Sequence, residues 1–491
     1  MDIRDLHCIV IGAGIGGLTA AAMLSRKGMQ VTVLEAGKHP GGCAGSFPSR
    51  GLLFDAGATV GCGFHPGGPL ELLGRELGID WPVAPEPIAW QYRHRDLRLD
   101  LQRSREAVVA RFPRSAPFWK EQSQLAGMLW RLSDGGLPWP QPSPGDLLRM
   151  TRKGVAGFPG TARLLQFVSK SAHDWLSSHG LDRDPDFTRF IDAQLLISVQ
   201  ALSRDANALN AAIALDLPAS GTWRVRGGIG RVAELLAGSV EGDGGAVMFG
   251  KRVIRIDSIR REVIGVETED GDALAADLLI ANLTPDSLAA LEGRPPGTDS
   301  AVCRPEWSAF MLYLGMDSSA FDQAGATHLQ LLAPEGGFAE GRSLFVSASP
   351  VDDTSRAPEG VRAVTVSTHT RPELWPENHP GRGEAYLEMK ELYTERVLQL
   401  MREAMPESEG AVRSVMAATP FTWERWTGRR GGYVGGYAQS SLFGVRGPAT
   451  AYDNLFLVGD SIFPGQSLPG VVVGARRTVE LVLRQARKIR R

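Results

Sequence analysis

The segment HCIVIGAGIGGLTAAAMLSRKGMQVTVLE, His7 to Glu35, leaves this chain few choices of fold. Cys8 to Ile11 read as a buried strand, and Gly12, Gly14 and Gly17 fill the G-x-G-x-x-G positions, with Ile15 and Gly16 between the last two. Thr19 to Lys27 continue as an Ala-rich helix, Gly28 ends it, and Gln30 to Leu34 form a second strand closed by Glu35. Gly12 permits the tight turn, Gly14 lets the backbone approach a pyrophosphate, and Gly17 lets the helix pack closely on the strand. The helix N-terminus then offers free N–H groups and a partial positive charge to phosphates. Glu35 stands 23 residues after Gly12, about where a carboxylate accepts ribose hydroxyls. A hydrophobic targeting segment is the competing reading, because Cys8 to Leu24 carries no charge. It fails on the patterned glycines, on the missing basic lead-in, and on a length below the roughly 20 residues needed to span.

A second nucleotide-like pattern stands near the other end. NLFLVGDSIFPGQSLPGVVVGARR, Asn454 to Arg477, reads as a strand at Leu455 to Val458, then Gly459 and Asp460, a Gly/Pro loop, and a helix beginning near Gly470 and Val471. Between the two ends, KHPGGCAGSFPSRGLLFDAGAT follows Glu35 and Ala36. Its Gly41 and Gly42 permit another close backbone approach beside Cys43, and FDAGAT is a short strand breaking into a turn at Gly57. Trp223 to Gly238 predicts a strand, a turn at Gly227 and Gly228, and an amphipathic helix; Ala246 to Asn282 predicts three strands, with Asp270-Gly271 as a hairpin signal.

Composition narrows the chemistry. A chain of 491 residues is too long for one compact core, so two domains are expected. A net charge of −2 gives no reason to expect nucleic acid as a partner. Cys8, Cys43, Cys62 and Cys303 form no C-x-x-C pair and no metal spacing. Asp182, Asp184 and Asp186 imitate the start of a calcium loop, but Phe187 stands where that loop needs Gly and Ala193 where it needs Glu. No metal site is therefore expected. H-E-x-x-H, G-x-S-x-G and P-loop motifs are all absent, so the chemistry must come largely from what the protein binds.

Two long segments remain for a substrate domain. Phe112 to Leu217 reads as mostly helical, with a Pro-rich break at Leu137 to Asp146 and Phe187, Phe190, Ile191, Leu195, Val199 and Leu202 at helical spacing. Such a stripe suits a core, although an apolar tunnel would look the same. Strand-like runs follow at Trp307 to Met316, Leu344 to Ser349 and Val361 to Thr368, then a long helix from Gly383 to Met405.

The double-Gly loop with its hairpin-like return, and the C-terminal strand-Gly-Asp-helix, resemble the flavoproteins of the amine-oxidase and phytoene-desaturase superfamily. Over nearly its whole length the chain resembles the bacterial carotenoid desaturase and isomerase family. Gly51 to Pro69, Phe112 to Trp119 and Phe190 to Gln200 resemble its terminal 3,4-desaturase branch. The resemblance implies an α/β fold with a Rossmann-like FAD-binding domain assembled from discontinuous segments, 1–100, 221–285 and 421–491. It implies a mixed α+β substrate domain from a helical, membrane-facing region at 101–220 and a sheet and helix at 286–420. Non-covalent FAD is expected against Gly12, Gly14, Ile15, Gly16, Gly17, Glu35, Ala36, Gly41, Gly42, Cys43, Gly57, Val253, Gly459, Asp460, Gly470 and Val471. Val253 would meet the adenine through its backbone, Asp460 the ribitol and pyrophosphate, and the last helix the pyrimidine edge. Many superfamily members carry Arg where this chain has Cys43, so a charged contact from that position is not expected.

The activity implied is hydride removal from an allylic carbon of a carotenoid to flavin, with oxygen or quinone as electron acceptor. Loss of the adjacent proton needs only water or a weak base, so no catalytic side chain is identified. His369 either faces the flavin or is a satisfied core or surface residue. A cytoplasmic protein would reach its substrate from the membrane surface, and Asp146 to Lys170 mixes Arg149, Arg152, Lys153, Arg163 and Lys170 with apolar residues; a solvated helix face is the alternative. A carotenoid isomerase, a phytoene desaturase, a polyene saturase, an amine oxidase and a non-catalytic prenyl-binding escort remain the rival readings.

Overall fold

The computed structural model describes residues 3–134, 139–140, 146, 148, 151–152, 160–295, 297, 305–376 and 383–489. The nucleotide-binding half is built on a five-stranded parallel sheet, in the order Leu455–Leu457, Leu278–Ala281, His7–Ile11, Gln30–Glu35 and Ala246–Phe249. The first strand sits beside Leu278–Ala281 on one edge and Gln30–Leu34 on the other. Its near-continuous apolar run is what a strand covered on both faces requires. Beneath it, the helix Ile15–Arg26 buries Ala20, Ala21 and Ala22 completely. These small side chains let it pack against two further helices, Gly230–Gly242 and Leu468–Ile489.

Ala246 to Asn282 contains five strands rather than three. The outer two belong to the parallel sheet, while Val253–Ile259, Glu262–Thr268 and Ala273–Ala275 form an antiparallel meander. Gly271, at φ 89°, makes the expected hairpin turn, but the other turn uses Arg260 at φ 57°. An arginine at a left-handed position carries no compositional turn signal. Gly227 and Gly228 form a turn outside the cavity described below, with the Gly227 N–H held by Asp353 at 2.7 Å.

The second half rests on a seven-stranded sheet. Its order is Val412–Ala418, Ser308–Asp317, Val361–Thr370, Ser343–Ala348, His328–Leu332, Trp90–His94 and Leu97–Leu101. The expected runs near 307, 344 and 361 are therefore strands, and the predicted long helix is Glu384–Ala404. Residues 90–100, placed above with the first FAD-binding segment, belong to this sheet together with Leu101: Leu329 to Leu332 run parallel to Gln91 to His94. Buried aromatic packing of Tyr92 on Phe190, with ring centroids 5.2 Å apart, ties that strand to the helical layer. In that layer, Phe187, Phe190, Ile191, Leu195 and Val199 of the helix Pro185–Val199 are core residues, and Leu202 lies beyond its end. Asp184 caps this helix, accepting the Phe187 N–H at 3.0 Å.

The basic stretch behaves differently from a free surface patch where it is described. Asp146 is fully buried and ion-paired with Arg477 at 3.1 Å and Arg484 at 2.9 Å, so it balances charge on the last helix. Arg163 is engaged by Glu121 and Gln124, while Arg152 is exposed. Arg149, Lys153 and Cys303 lie outside the described residues. No described helix is long and apolar enough to cross a membrane, and no group of described His, Cys, Asp and Glu residues could hold a metal ion.

Candidate active site

The two halves meet around a cavity of about 720 Å³. Gly12, Gly14, Ile15 and Gly16 form one wall, where the first strand passes into the first helix. Gly12 adopts φ 95°, a conformation costly for any side chain. A Cβ on Gly14 would come within 2.5 Å of Asn282 Nδ2, so the backbone lies open only because the side chain is missing. Gly17 is not on the wall. A Cβ there would meet the Gly12 carbonyl oxygen at 2.3 Å, which makes it the spacer between helix and strand. No side chain caps this helix, and its first return bond is Leu18 N–H to Gly14 O at 3.0 Å. The amides ahead of Leu18 therefore have no intrahelical acceptor and suit a diphosphate.

Glu35, Ala36, Gly41, Gly42, Cys43, Gly57, Val253, Gly459, Asp460 and Val471 line the same cavity. Glu35 is anchored at both oxygens, accepting the Ala13 and Gly37 N–H groups at 2.7 Å each. A carboxylate has lone pairs left for ribose hydroxyls after two such bonds. The last helix starts at Leu468, two residues before the expected point, directly after Ser467 at φ 84°. Gly470 is consequently off the wall, its N–H donating to Ser467 Oγ at 3.1 Å. An uncapped helix start, a Gly-lined approach and carboxylates at Glu35 and Asp460 fit FAD.

Sequence reasoning missed Arg429 and Asn282. Arg429 sits on the cavity wall and grips Asp460, and its charge lies close enough to Cys43 to oppose the upward push that burial gives that thiol. The guanidinium itself is held above its ordinary range: burial lowers it, but the paired Asp460 carboxylate more than offsets that. Nothing in GRRGG at 428–432 marks one arginine as buried. Asn282, ending the strand Leu278–Ala281, reaches toward Gly12, Gly14 and Gly459.

His369 lies on the wall, and burial lowers its pKa to about 4, so it is a neutral imidazole. Trp90, Ile197, Ser198, Gln200, Leu217, Ser308, Met311, Phe345 and Thr368 extend the wall away from the cradle. None of these carries a formal charge. Lys251, Arg252, Asp286, Glu424 and Arg430 also border the cavity, with Glu35, Arg429 and Asp460, so the wall given by the seven-stranded sheet and the helical layer is uncharged while the rest carries charge of both signs.

A dinucleotide cradle assembled from separated segments beside a largely apolar wall is the arrangement a flavin-dependent oxidoreductase requires. Residues 15–483 match the family described as flavin containing amine oxidoreductase, and the chain belongs to that family, with FAD as its cofactor. It is similar to prolycopene isomerase of Daucus carota, at 27% identity over 98% of this chain and 81% of that protein. Phytoene desaturase (neurosporene-forming) of Cereibacter sphaeroides is 26% identical, over 97% of this chain and 94% of that one. The fold is shared with cyclohexylamine oxidase from Brevibacterium oxydans, at TM-score 0.61 and 17% identity over 99% and 100% of the two chains.

Proposed function

We propose that the protein is a carotenoid desaturase, acting at the terminal 3,4 position and working from the membrane surface. The observation that carries this reading is the uncharged wall that the seven-stranded sheet and the helical layer give the cavity, Glu424 entering from the helix Pro420–Thr427 instead. A cationic amine placed there would meet no carboxylate from the seven-stranded sheet or helical layer among the described residues, whereas a polyene needs only apolar contact. Bound FAD would supply a two-electron hydride acceptor. The chain's own residues would bind and orient it: the glycine cradle for the diphosphate, Glu35 for ribose, and the Arg429–Asp460 pair beyond. Phe345, Met311 and Ile197 would hold the polyene and keep water out. Trp426 borders the cavity yet is 69% exposed, which suits a mouth open to a lipid surface. The terminal position rests on the resemblance at Gly51 to Pro69.

Isomerisation is the second reading, favoured by the likeness to the carrot protein named for it. Redox stoichiometry separates the two. Oxidised enzyme given carotenoid without oxygen should lose its yellow colour and form about one new double bond per FAD, because the cofactor carries two electrons. Oxygen or a quinone should restart turnover. Continued turnover of prereduced enzyme without an acceptor, with product mass unchanged, would hand the case to the isomerase.

A further inference from the structure

Desaturation releases a proton as well as a hydride, and the wall of the cavity contains a path for it. Thr59 lies two residues after Gly57 on the loop that borders the cavity. Ser347 Oγ donates to Thr59 Oγ1 at 2.7 Å. On the far side of Ser347, His328 Nδ1 lies 2.9 Å from the same oxygen. Ser347 and His328 face each other directly on neighbouring antiparallel strands, so the sheet register fixes their separation. Both are only 5% exposed. Phe345 stacks on the imidazole, with centroids 6.2 Å apart and planes 22° from parallel, and itself lines the cavity.

We propose that Thr59, Ser347 and His328 form a proton relay leading from the cavity wall to a buried imidazole, which takes up the proton that the polyene loses. This rests on the desaturase reading. At rest the Ser347 hydroxyl hydrogen points to Thr59; for inward transfer both hydroxyls turn, so that Thr59 donates to Ser347 and Ser347 donates to a His328 ring carrying its own hydrogen on Nε2. Burial first, then the guanidinium groups of Arg356 and Arg362, lowers the His328 pKa to about 4. The ring is therefore neutral, its Nε2–H tautomer leaves the Nδ1 lone pair to accept from Ser347, and it holds an added proton loosely. A weak base is adequate, because a carbon next to a delocalised cation gives up its proton readily.

The balance closes over one cycle. One carbon gives a hydride to FAD, and the C–H bond of its neighbour breaks. That electron pair becomes the new π bond, and the proton joins Thr59 Oγ1. The Thr59 hydroxyl proton passes to Ser347 Oγ, and the Ser347 proton passes to His328 Nδ1. When a quinone or oxygen later removes the hydride equivalent, it also requires one proton, and the relay running outward supplies it from His328. No opening to solvent is needed at the imidazole.

The competing view is that the three groups merely satisfy one another's hydrogen bonds. Thr59→Val removes the hydroxyl at constant shape, Thr59→Ser keeps it, and Ser347→Ala cuts the path at its centre without touching the cavity wall. The FAD-loaded proteins would be mixed anaerobically with carotenoid in liposomes, in H2O and in D2O. Product formation should slow by roughly 10²-fold in Thr59→Val and Ser347→Ala, the order expected for general acid–base catalysis. Thr59→Ser should stay near wild type, FAD content should not change, and the solvent isotope effect should vanish with the relay. In holoprotein carrying 15N-labelled histidine, the resting His328 ring of wild type should be a neutral imidazole with its hydrogen on Nε2 and Nδ1 free to accept. Should Thr59→Val lose FAD, Ser347→Ala decides alone. Wild-type rates in Ser347→Ala, or a resting His328 ring that carries its hydrogen on Nδ1, would overturn the relay while leaving the desaturase standing. A wild-type product of unchanged mass would overturn both.

Discussion

Arg429 holds Asp460 through two parallel bonds, Nη1 to Oδ2 at 2.9 Å and Nη2 to Oδ1 at 2.8 Å. Both side chains are mostly buried on the cavity wall, at 19% and 14% exposure. Without its partner, Asp460 would place a bare carboxylate near the anionic diphosphate. Arg429→Met should therefore weaken FAD by about 1.5–3 kcal/mol, the scale of one charge-assisted hydrogen bond. Asp460→Asn, which keeps one acceptor, should cost less. Fluorescence titration of the deflavinated proteins with FAD would check the order, and equal losses would contradict it.

Glu35 has two tasks rather than one. Its oxygens accept the Ala13 and Gly37 N–H groups before any ribose arrives. Glu35→Gln leaves one of those amides facing an NH2 group, so the substitution should disturb the loop as well as the cofactor. The expected cost is about 1–3 kcal/mol for the stranded donor. A lower melting temperature of the FAD-free variant would show it. An FAD-free variant as stable as wild type would confine Glu35 to ribose.

The cradle was readable because each glycine is required by something a Cβ would strike: Asn282 at Gly14, the Gly12 carbonyl at Gly17. Chemistry that depends on which strands become neighbours was not readable. His328 and Ser347 look like ordinary alternation in two separate strands, and only the sheet order sets them side by side. The strand Trp90–His94 shows the same limit, since its residues announce a strand but not which sheet receives it. Arg429 is 31 positions from Asp460, and a basic pair in a glycine-rich loop has the composition of solvated surface.

FAD should be released entirely by acid precipitation, leaving a colourless pellet. Cys43 is the cavity cysteine nearest the charged pair, and burial raises its pKa above the ordinary thiol value despite Arg429. Cys62, also on the wall, is pushed to about 12 by burial. At neutral pH both are thiols, and a thiol is a poor nucleophile for forming a bond to the cofactor. Yellow colour retained on the pellet would contradict this.

His328 should also make the fold acid-sensitive. Its pKa is about 4 in the folded protein against an ordinary value of 6.5. The stability it permits is complete above pH 6.5, where the ring is neutral in both states. As pH falls below 6.5 the unfolded chain binds the proton first, and stability declines until the folded ring titrates near pH 4. The shift corresponds to a loss on the order of 3 kcal/mol across that window. Carboxylates contribute their own slope, so the informative quantity is a difference between variants. Gln at this position keeps a polar group beside Ser347 but does not titrate. His328→Gln should be less stable than wild type at pH 7.5, and urea denaturation should show that deficit shrinking or reversing by pH 4.5. Parallel stability curves for the two proteins between those pH values would mean that the buried ring does not titrate on unfolding as its surroundings require.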